Sequence, residues 1–320
     1  MKKILAVLCP LFVVWPAFAL AQPYPTKPIH IVLPFGPGGV ADITTRTLAP
    51  KLAEALGQNV VVDNMPSAGG IRASETVAHA APDGYTILLL TNGNAVSKAL
   101  FKSLPYDPLT DFAMISMVGS FGMVIVTGPN SKLNTLQDLL AAAKAHPGKL
   151  NIGTITPGGT QHLAGELFLS KAGIDAVVVP HKTTGEVIVD VRNGTVDAGV
   201  DFIAPLLSGI KGGQLKALAV TSAKRFPGLP GVPTAIEAGV KDYDVSSWNA
   251  LAAPAKTPQP ILDKLHAALA KALADPGVQK RFAELGVEPR PSSPQELKAF
   301  YVSETKRWTE VVERAGMPKQ

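Results

Sequence analysis

Two glycine-bearing segments carry the most specific chemistry in this sequence. The first is Pro34-Phe35-Gly36-Pro37-Gly38-Gly39-Val40-Ala41-Asp42, and the second is Gly153-Thr154-Ile155-Thr156-Pro157-Gly158-Gly159-Thr160. Each leaves an apolar, β-branched run and enters a helical pattern, so main-chain N–H groups and the positive end of a helix converge on one point. Such a point seats an anion. Two seats facing each other across a cleft would grip an acid at both ends through main-chain donors, without an arginine clamp. Glycines that merely turn the chain are the alternative reading of either loop alone. The first loop also fits G-x-G-x-x-A through Gly36, Gly38 and Ala41, with Asp63 where a ribose-binding acid would sit. Pro34 and Pro37 stiffen that turn and remove donors, which argues against a dinucleotide. The second loop follows a phosphate loop only until Gly159 stands where the lysine should be, so nucleotide hydrolysis is not expected.

Other catalytic constellations are missing from the sequence. There is no G-x-S-x-G elbow and no H-E-x-x-H, and the single cysteine, Cys9, lies in a leader segment. The six histidines, at positions 30, 79, 146, 162, 181 and 266, are scattered. His162, in the first turn after the second loop, reads as a packing or capping residue or as a functional one. His181 stands either at the cleft or on the surface. Asp42 and Thr160 can hold a ligand, cap a helix, or do both. Asp201 ends the apolar run GVD, where a buried carboxylate needs partners, as a structural anchor or on the ligand side.

The elements that position these residues alternate. Strand-like runs at Ile29 to Phe35, Val60 to Asp63 and Tyr85 to Thr91 enclose helical patterns at Thr44 to Leu56 and Ala73 to His79, the βαβαβ order of a mainly parallel sheet. The pattern recurs with strands near Phe121 to Val126, Leu150 to Thr154, Ala176 to Val179, Ala198 to Phe202 and Leu215 to Val220, which predicts a second α/β lobe. Thr135 with Asp138, and Ser293 with Glu296, form capping boxes, and Thr257-Pro258 opens another helix. The Pro/Gly-rich stretch Arg225 to Thr234 reads as the connection back toward the first lobe.

Lys2 and Lys3, an apolar stretch to about Leu20, and Ala19-Leu20-Ala21 before Gln22 make a secretory signal peptide cleaved after Ala21. The mature chain is then expected to be an exported protein without a thiol, stabilised by an ordinary core rather than by disulfides. Across 320 residues, 46% are hydrophobic and 17% charged, which excludes a disordered or fibrous chain and gives enough length for two lobes. Without the leader lysines, 28 Lys and Arg face 25 Asp and Glu, and no basic run is present. No nucleic-acid partner is expected from so small a surplus.

The order of PFGPGGVAD, APDGYTILL, LPYDPLTDF, TLQDLLAAAKAHPGKLNIGT, GGTQHLAGE, LPGVPTAIEAG and WNALAAPAKTP resembles the Bug family, the TctC-like periplasmic receptors of tripartite tricarboxylate transporters. The resemblance covers essentially the whole mature chain. It implies an α/β, two-lobe periplasmic-binding-protein fold of Venus flytrap, type II-like form, with the ligand cleft between lobes. Lobe 1 is expected over residues 22–123 and 232–320, and lobe 2 over 124–231. Carried over by position, the resemblance places Phe35, Gly38, Gly39, Ala41 and Asp42, together with Thr156, Gly159 and Thr160, around a small carboxylic acid. Thr91 and Asn94 become cleft-wall residues, and Lys182, Thr183 and Asp201 complete the candidate set. The loop His181-Lys182-Thr183-Thr184-Gly185-Glu186-Val187 departs from the family pattern Y-K-G-x-x-P-A, and Ser67 and Arg72 depart from P-G-A-G-G-x-I. The resemblance further implies a monomeric, non-enzymatic receptor without cofactor or metal, partnered by a membrane permease. A sensor docking on a signalling protein, or a periplasmic enzyme with His162 or His181 as base, are the alternatives.

Overall fold

The structure is a computed structural model that describes residues 24–320 apart from Thr156; the leader expected to end at Ala21 lies outside the described residues. The first half of the fold contains β1 (Ile29–Leu33), α1 (Val40–Leu56), β2 (Val60–Asn64), α2 (Ile71–Ala78), β3 (Thr86–Thr91) and α3 (Asn92–Leu100). Next come β4 (Phe112–Thr127) and α4 (Leu136–Ala145). A second βαβαβα run follows: β5 (Asn151–Ile155), α5 (Thr160–Ala172), β6 (Val177–His181), α6 (Thr184–Asn193), β7 (Ala198–Phe202) and α7 (Ile203–Lys211), then β8 (Lys216–Val220). The chain closes with β9 (Ser246–Pro254), α8 (Gln259–Leu273), α9 (Pro276–Glu284), β10 (Val287–Pro289) and α10 (Pro294–Arg314).

Both wings are parallel, as the alternating pattern predicts: β1 pairs with β2 and β3, and β5 pairs with β6 and β7. The centre is antiparallel. The 16-residue β4 pairs with β9 and β10 over its first part and with β7 and β8 over its last, so one strand belongs to both halves. Its expected extent, Phe121 to Val126, covers only the end that enters the second half. The earlier part, FAMISMVGS, does not alternate polar with apolar residues because helices cover both of its faces.

Local signals hold where they depend on local geometry. Thr135 Oγ1 accepts from the Asp138 N–H at 3.1 Å, and Ser293 Oγ accepts from the Glu296 N–H at 3.1 Å, completing the two capping boxes. The Pro/Gly-rich stretch behaves otherwise. The Val220 N–H donates to Pro233 O and the Val245 N–H to Thr221 O, so residues 233–245 remain bound to the second half. The chain returns to the first half only with β9. Ala235, Val240 and Tyr243 accordingly pack with Leu139, Leu163 and Phe168 of the second-half core.

That core also includes Val96, Ala99 and Leu100 of α3 and Trp308, Val311 and Val312 of α10. These two helices therefore wedge against both halves. Glu304 anchors α10 to β9: its carboxylate accepts from Trp248 Nε1 at 3.2 Å, Trp308 Nε1 at 2.8 Å and Arg307 at 3.3 Å, at 5% exposure. Removing it leaves two buried indole N–H groups without acceptors. Glu304→Ala is expected to lower unfolding free energy by about 3 kcal/mol while leaving solute affinity unchanged. Urea unfolding and ligand titration of the same variant check both halves of this expectation.

Candidate functional site

The Gly-Gly pairs of the two loops adopt the same conformation. Gly38 and Gly158 have φ of 88° and 76°, a region closed to residues with a Cβ, and Gly39 and Gly159 follow as the N-caps of α1 and α5 with φ of −79° and −71°. Neither cap glycine supplies a side-chain oxygen, so the first-turn N–H groups of both helices are left for an outside acceptor. By contrast, α4, α6, α9 and α10 are capped by Thr135, Thr183, Asp275 and Ser293. A Cβ built on Gly36, Gly38 or Gly39 meets nothing within 4 Å, so the space before the first helix end is open. Phe35 is exposed at its rim, and Ala41 is buried beneath it.

A side chain four residues on locks each loop. In the first, Asp42 Oδ2 accepts the Gly38 N–H at 2.9 Å. Its other oxygen accepts from Arg46 Nε at 2.9 Å and Asn64 Nδ2 at 3.0 Å. Burial raises its pKa, but the Gly38, Asn64 and Arg46 donors outweigh burial and hold Asp42 below the usual carboxylate range. In the second loop His162 Nδ1 accepts the Gly158 N–H at 3.3 Å, which places the ring proton on Nε2. Thus Pro37-Gly38-Gly39-x-x-Asp42 and Pro157-Gly158-Gly159-x-x-His162 are two copies of one cradle. The repeated spacing is the signal in the sequence that identifies His162 as the counterpart of Asp42. Charge is inverted at the next turn, where Arg46 beside Asp42 corresponds to Glu166 beside His162, 3.9 Å from its Nε2.

Asp201 is fully buried and ties the second half of the site together. It accepts from Gln161 Nε2 at 3.0 Å, Thr184 Oγ1 at 2.6 Å and its neighbour Phe202 N–H at 2.7 Å. Burial raises its pKa against the pull of those bonds. These bonds connect the end of β7 to α5 and α6. Thr183 caps α6 through the Glu186 N–H, and Glu186 accepts the Lys182 N–H at 2.8 Å. The atypical loop is thus closed by its own residues, with Lys182 exposed. In Thr91 and Asn94 the polar groups satisfy each other: Asn94 Oδ1 accepts from the Thr91 N–H and hydroxyl, and its Nδ2 donates to Ser74 Oγ at 2.6 Å. Arg72 is exposed, with its N–H on Ser67 Oγ. Thr156 lies outside the described residues.

Two further positions test the alternatives. His181 Nδ1 faces the carbonyls of Thr154 and Val179 and Nε2 faces Asp190, so only acceptors surround the ring and no lone pair is directed at the cleft. Asp63 is bound to His30 at 2.7 Å rather than open to a ribose. Asn92 was missed by sequence reasoning, which chose its neighbours. Its Nδ2 lies 3.5 Å from Thr160 Oγ1, joining α3 of the first half to the second loop.

Two parallel α/β wings joined through antiparallel strands, each wing carrying an uncapped helix N-terminus, define a two-domain binding-protein fold. Comparison with known proteins gives the family. Residues 44–317 match the family model of the tripartite tricarboxylate transporter family receptor, TctC, and the chain belongs to that family. It is 37% identical to protein BugT of Bordetella pertussis over 298 residues, covering 92% of this chain and 91% of BugT. Among solved structures it is similar to the periplasmic binding protein BugD (TM-score 0.78, 35% identity, 93% of this chain and 100% of that one). It is also similar to R. palustris Rpa4515 with adipate (TM-score 0.81, 32% identity, 93% and 100%). Among the described residues no helix is long and apolar enough to cross a membrane.

His162 makes the second cradle sensitive to pH. Burial lowers its pKa from about 6.5, so the fold favours the neutral ring, whereas the unfolded chain takes up a proton first as pH falls. Stability from this residue is therefore present above about pH 6.5 and lost below it. Burial moves the nearby Glu166 in the opposite direction, toward the neutral acid. The melting temperature of the wild type relative to His162→Asn, which keeps an acceptor near the Nδ1 position, is expected to fall between about pH 7.5 and about pH 5. Parallel melting curves for the two proteins across that range would remove His162 from this role.

Proposed function

We propose that the protein is an extracytoplasmic solute receptor, exported to the periplasm, that binds a small carboxylic acid between its two lobes and presents it to a membrane permease of the tripartite tricarboxylate type. The observation that carries this reading is the pair of glycine-capped helix ends. Each offers unsatisfied main-chain donors, and each is held rigid by a side chain that completes the loop from below. A carboxylate supplies two acceptor oxygens for such donors and interacts favourably with the positive helix ends. Gly38, Gly39, Gly159 and Thr160 are the residues proposed to contact it, with Phe35 and Ala41 shaping the rim. Asp42, Asp201, Thr183 and Asn94 support them, because their polar atoms already have protein partners. Export and the permease are implied by family membership and the leader sequence. Strand pairing supports drawing lobe 2 as about 123–245 rather than 124–231, with the remaining residues in lobe 1.

Nothing in this arrangement requires a catalytic group. Both histidines considered as bases are engaged by neighbouring protein atoms, and the solved structures this chain resembles include solute-binding proteins.

A thermal-shift screen tests the reading. Residues 22–320, unfolded and refolded to remove bound solute, are exposed to mono-, di- and tricarboxylates, acidic amino acids, aromatic acids and nicotinamide dinucleotides. An acid at roughly 100 times its dissociation constant is expected to stabilise the protein by about 2.7 kcal/mol, a rise of several degrees, with no shift from dinucleotides. Gly39→Val separates the seat from the fold. The φ of Gly39 suits any residue and a Cβ there meets open space, so the variant is expected to melt near the wild type yet bind acids at least about tenfold more weakly. Unchanged affinity would move the seat away from α1.

A further inference from the structure

Four buried side-chain polar atoms among the described residues lack a hydrogen-bond partner: Asn92 Oδ1, Tyr106 Oη, Thr154 Oγ1 and Tyr301 Oη. Tyr106 and Tyr301 belong to one hydrophobic cluster, remote from the loops, and the Thr154 side chain lies against Gly165 of α5. Asn92 differs in its surroundings. It is the first residue of α3, it is 3% exposed, and the other end of its amide points at Thr160, the first residue of α5, from the opposite half of the molecule. The orphaned oxygen therefore lies beside the second helix end, where main-chain donors await an acid. Its side-chain neighbours are engaged elsewhere. Thr91 and Asn94 are bonded to each other and to Ser74, and the 3.5 Å contact to Thr160 is made by the nitrogen.

A buried carbonyl oxygen without a donor costs about 1 to 3 kcal/mol, and a site retains such a group where a ligand completes it. The chemistry of the missing partner follows from the atom. An amide oxygen accepts but does not donate, so it repels a carboxylate oxygen and is satisfied by a hydroxyl or an ammonium group. Resting on the receptor reading above, we infer that Asn92 is a ligand-contacting, specificity-determining residue: its Oδ1 accepts from a hydroxyl or amino group carried next to the carboxylate of the bound acid. The preferred solutes are then hydroxy or amino dicarboxylates rather than their unsubstituted counterparts. Because Nδ2 reaches Thr160, the same side chain would join the ligand to both halves of the molecule.

The test compares acids that differ by one group. Wild type and Asn92→Ala are titrated calorimetrically with L-malate, L-aspartate and succinate, and each unliganded protein is melted. The wild type is expected to prefer malate or aspartate over succinate by at least about tenfold, and Asn92→Ala to bind the preferred acid and succinate within about twofold of each other. Unliganded Asn92→Ala is expected to melt at or above the wild-type temperature, because an unsatisfied buried group has been removed. Asn92→Asp keeps the shape of the side chain and is expected to fold while losing all three acids by at least about a hundredfold through charge repulsion. A wild type that prefers succinate, or a preference that persists in Asn92→Ala, overturns the assignment of Asn92 while leaving the receptor intact. A wild type that binds no acid in the wider screen overturns the receptor reading and this inference with it.

Discussion

A single strand, β4, must satisfy hydrogen-bonding partners from both halves of the molecule, and the geometry of the site depends on that constraint. Its first part lies between β9 and β10 and its last part between β7 and β8, so the two parallel wings are joined through continuous backbone. The wings repeat the same βαβαβα order. The Asn92–Thr160 contact and the packing of Leu100 against Gly158 mark where α3 of the first half meets the second loop.

The two loops solve one electrostatic problem in two ways. A glycine cap leaves the helix end open to solute, but it also leaves the loop without an internal restraint, and a side chain one turn on supplies it. In α1 that side chain is a carboxylate, paired with the Arg46 charge and hydrogen-bonded by Asn64; in α5 it is an imidazole favoured neutral by burial. A second carboxylate in place of His162 would set negative charge under both ends of an anionic solute. An imidazole with Nδ1 unprotonated performs the same restraint without that charge. The arrangement ties the second loop, but not the first, to an imidazole whose protonation burial disfavours.

On the proposed reading, stability and selectivity fall to different residues. Asp201, Thr183, Asn94 and Asp42 are hydrogen-bonded within the protein, while Asn92 Oδ1 has no partner. An incompletely satisfied polar network is costly in a free protein, and its presence at the junction of the halves is consistent with a site whose last bond comes from solute. The atypical 182–187 loop falls in the first group. Glu186 closes the loop before α6 by accepting the Lys182 N–H.

What the sequence by itself determined is local: the strand and helix order of both wings, the two capping boxes and the glycine loops at strand-to-helix junctions. These follow from periodicity, φ preferences and contacts within a few residues. Tertiary structure decided matters that turn on distant partners. It kept residues 233–245 with the second half because Val220 and Thr221 accept and donate there, and it extended β4 back to Phe112 because β9, well over a hundred residues later, pairs with it. It also decided which candidate polar residues are already satisfied. Asp42 meets Asn64, Asp201 meets Gln161 and Thr184, and Asn94 meets Ser74, whereas Asn92, adjacent to two residues that the sequence did suggest, is left with an acceptor unmet. A residue type states what bonds a side chain can make; only the fold determines which of those bonds remain open to a ligand.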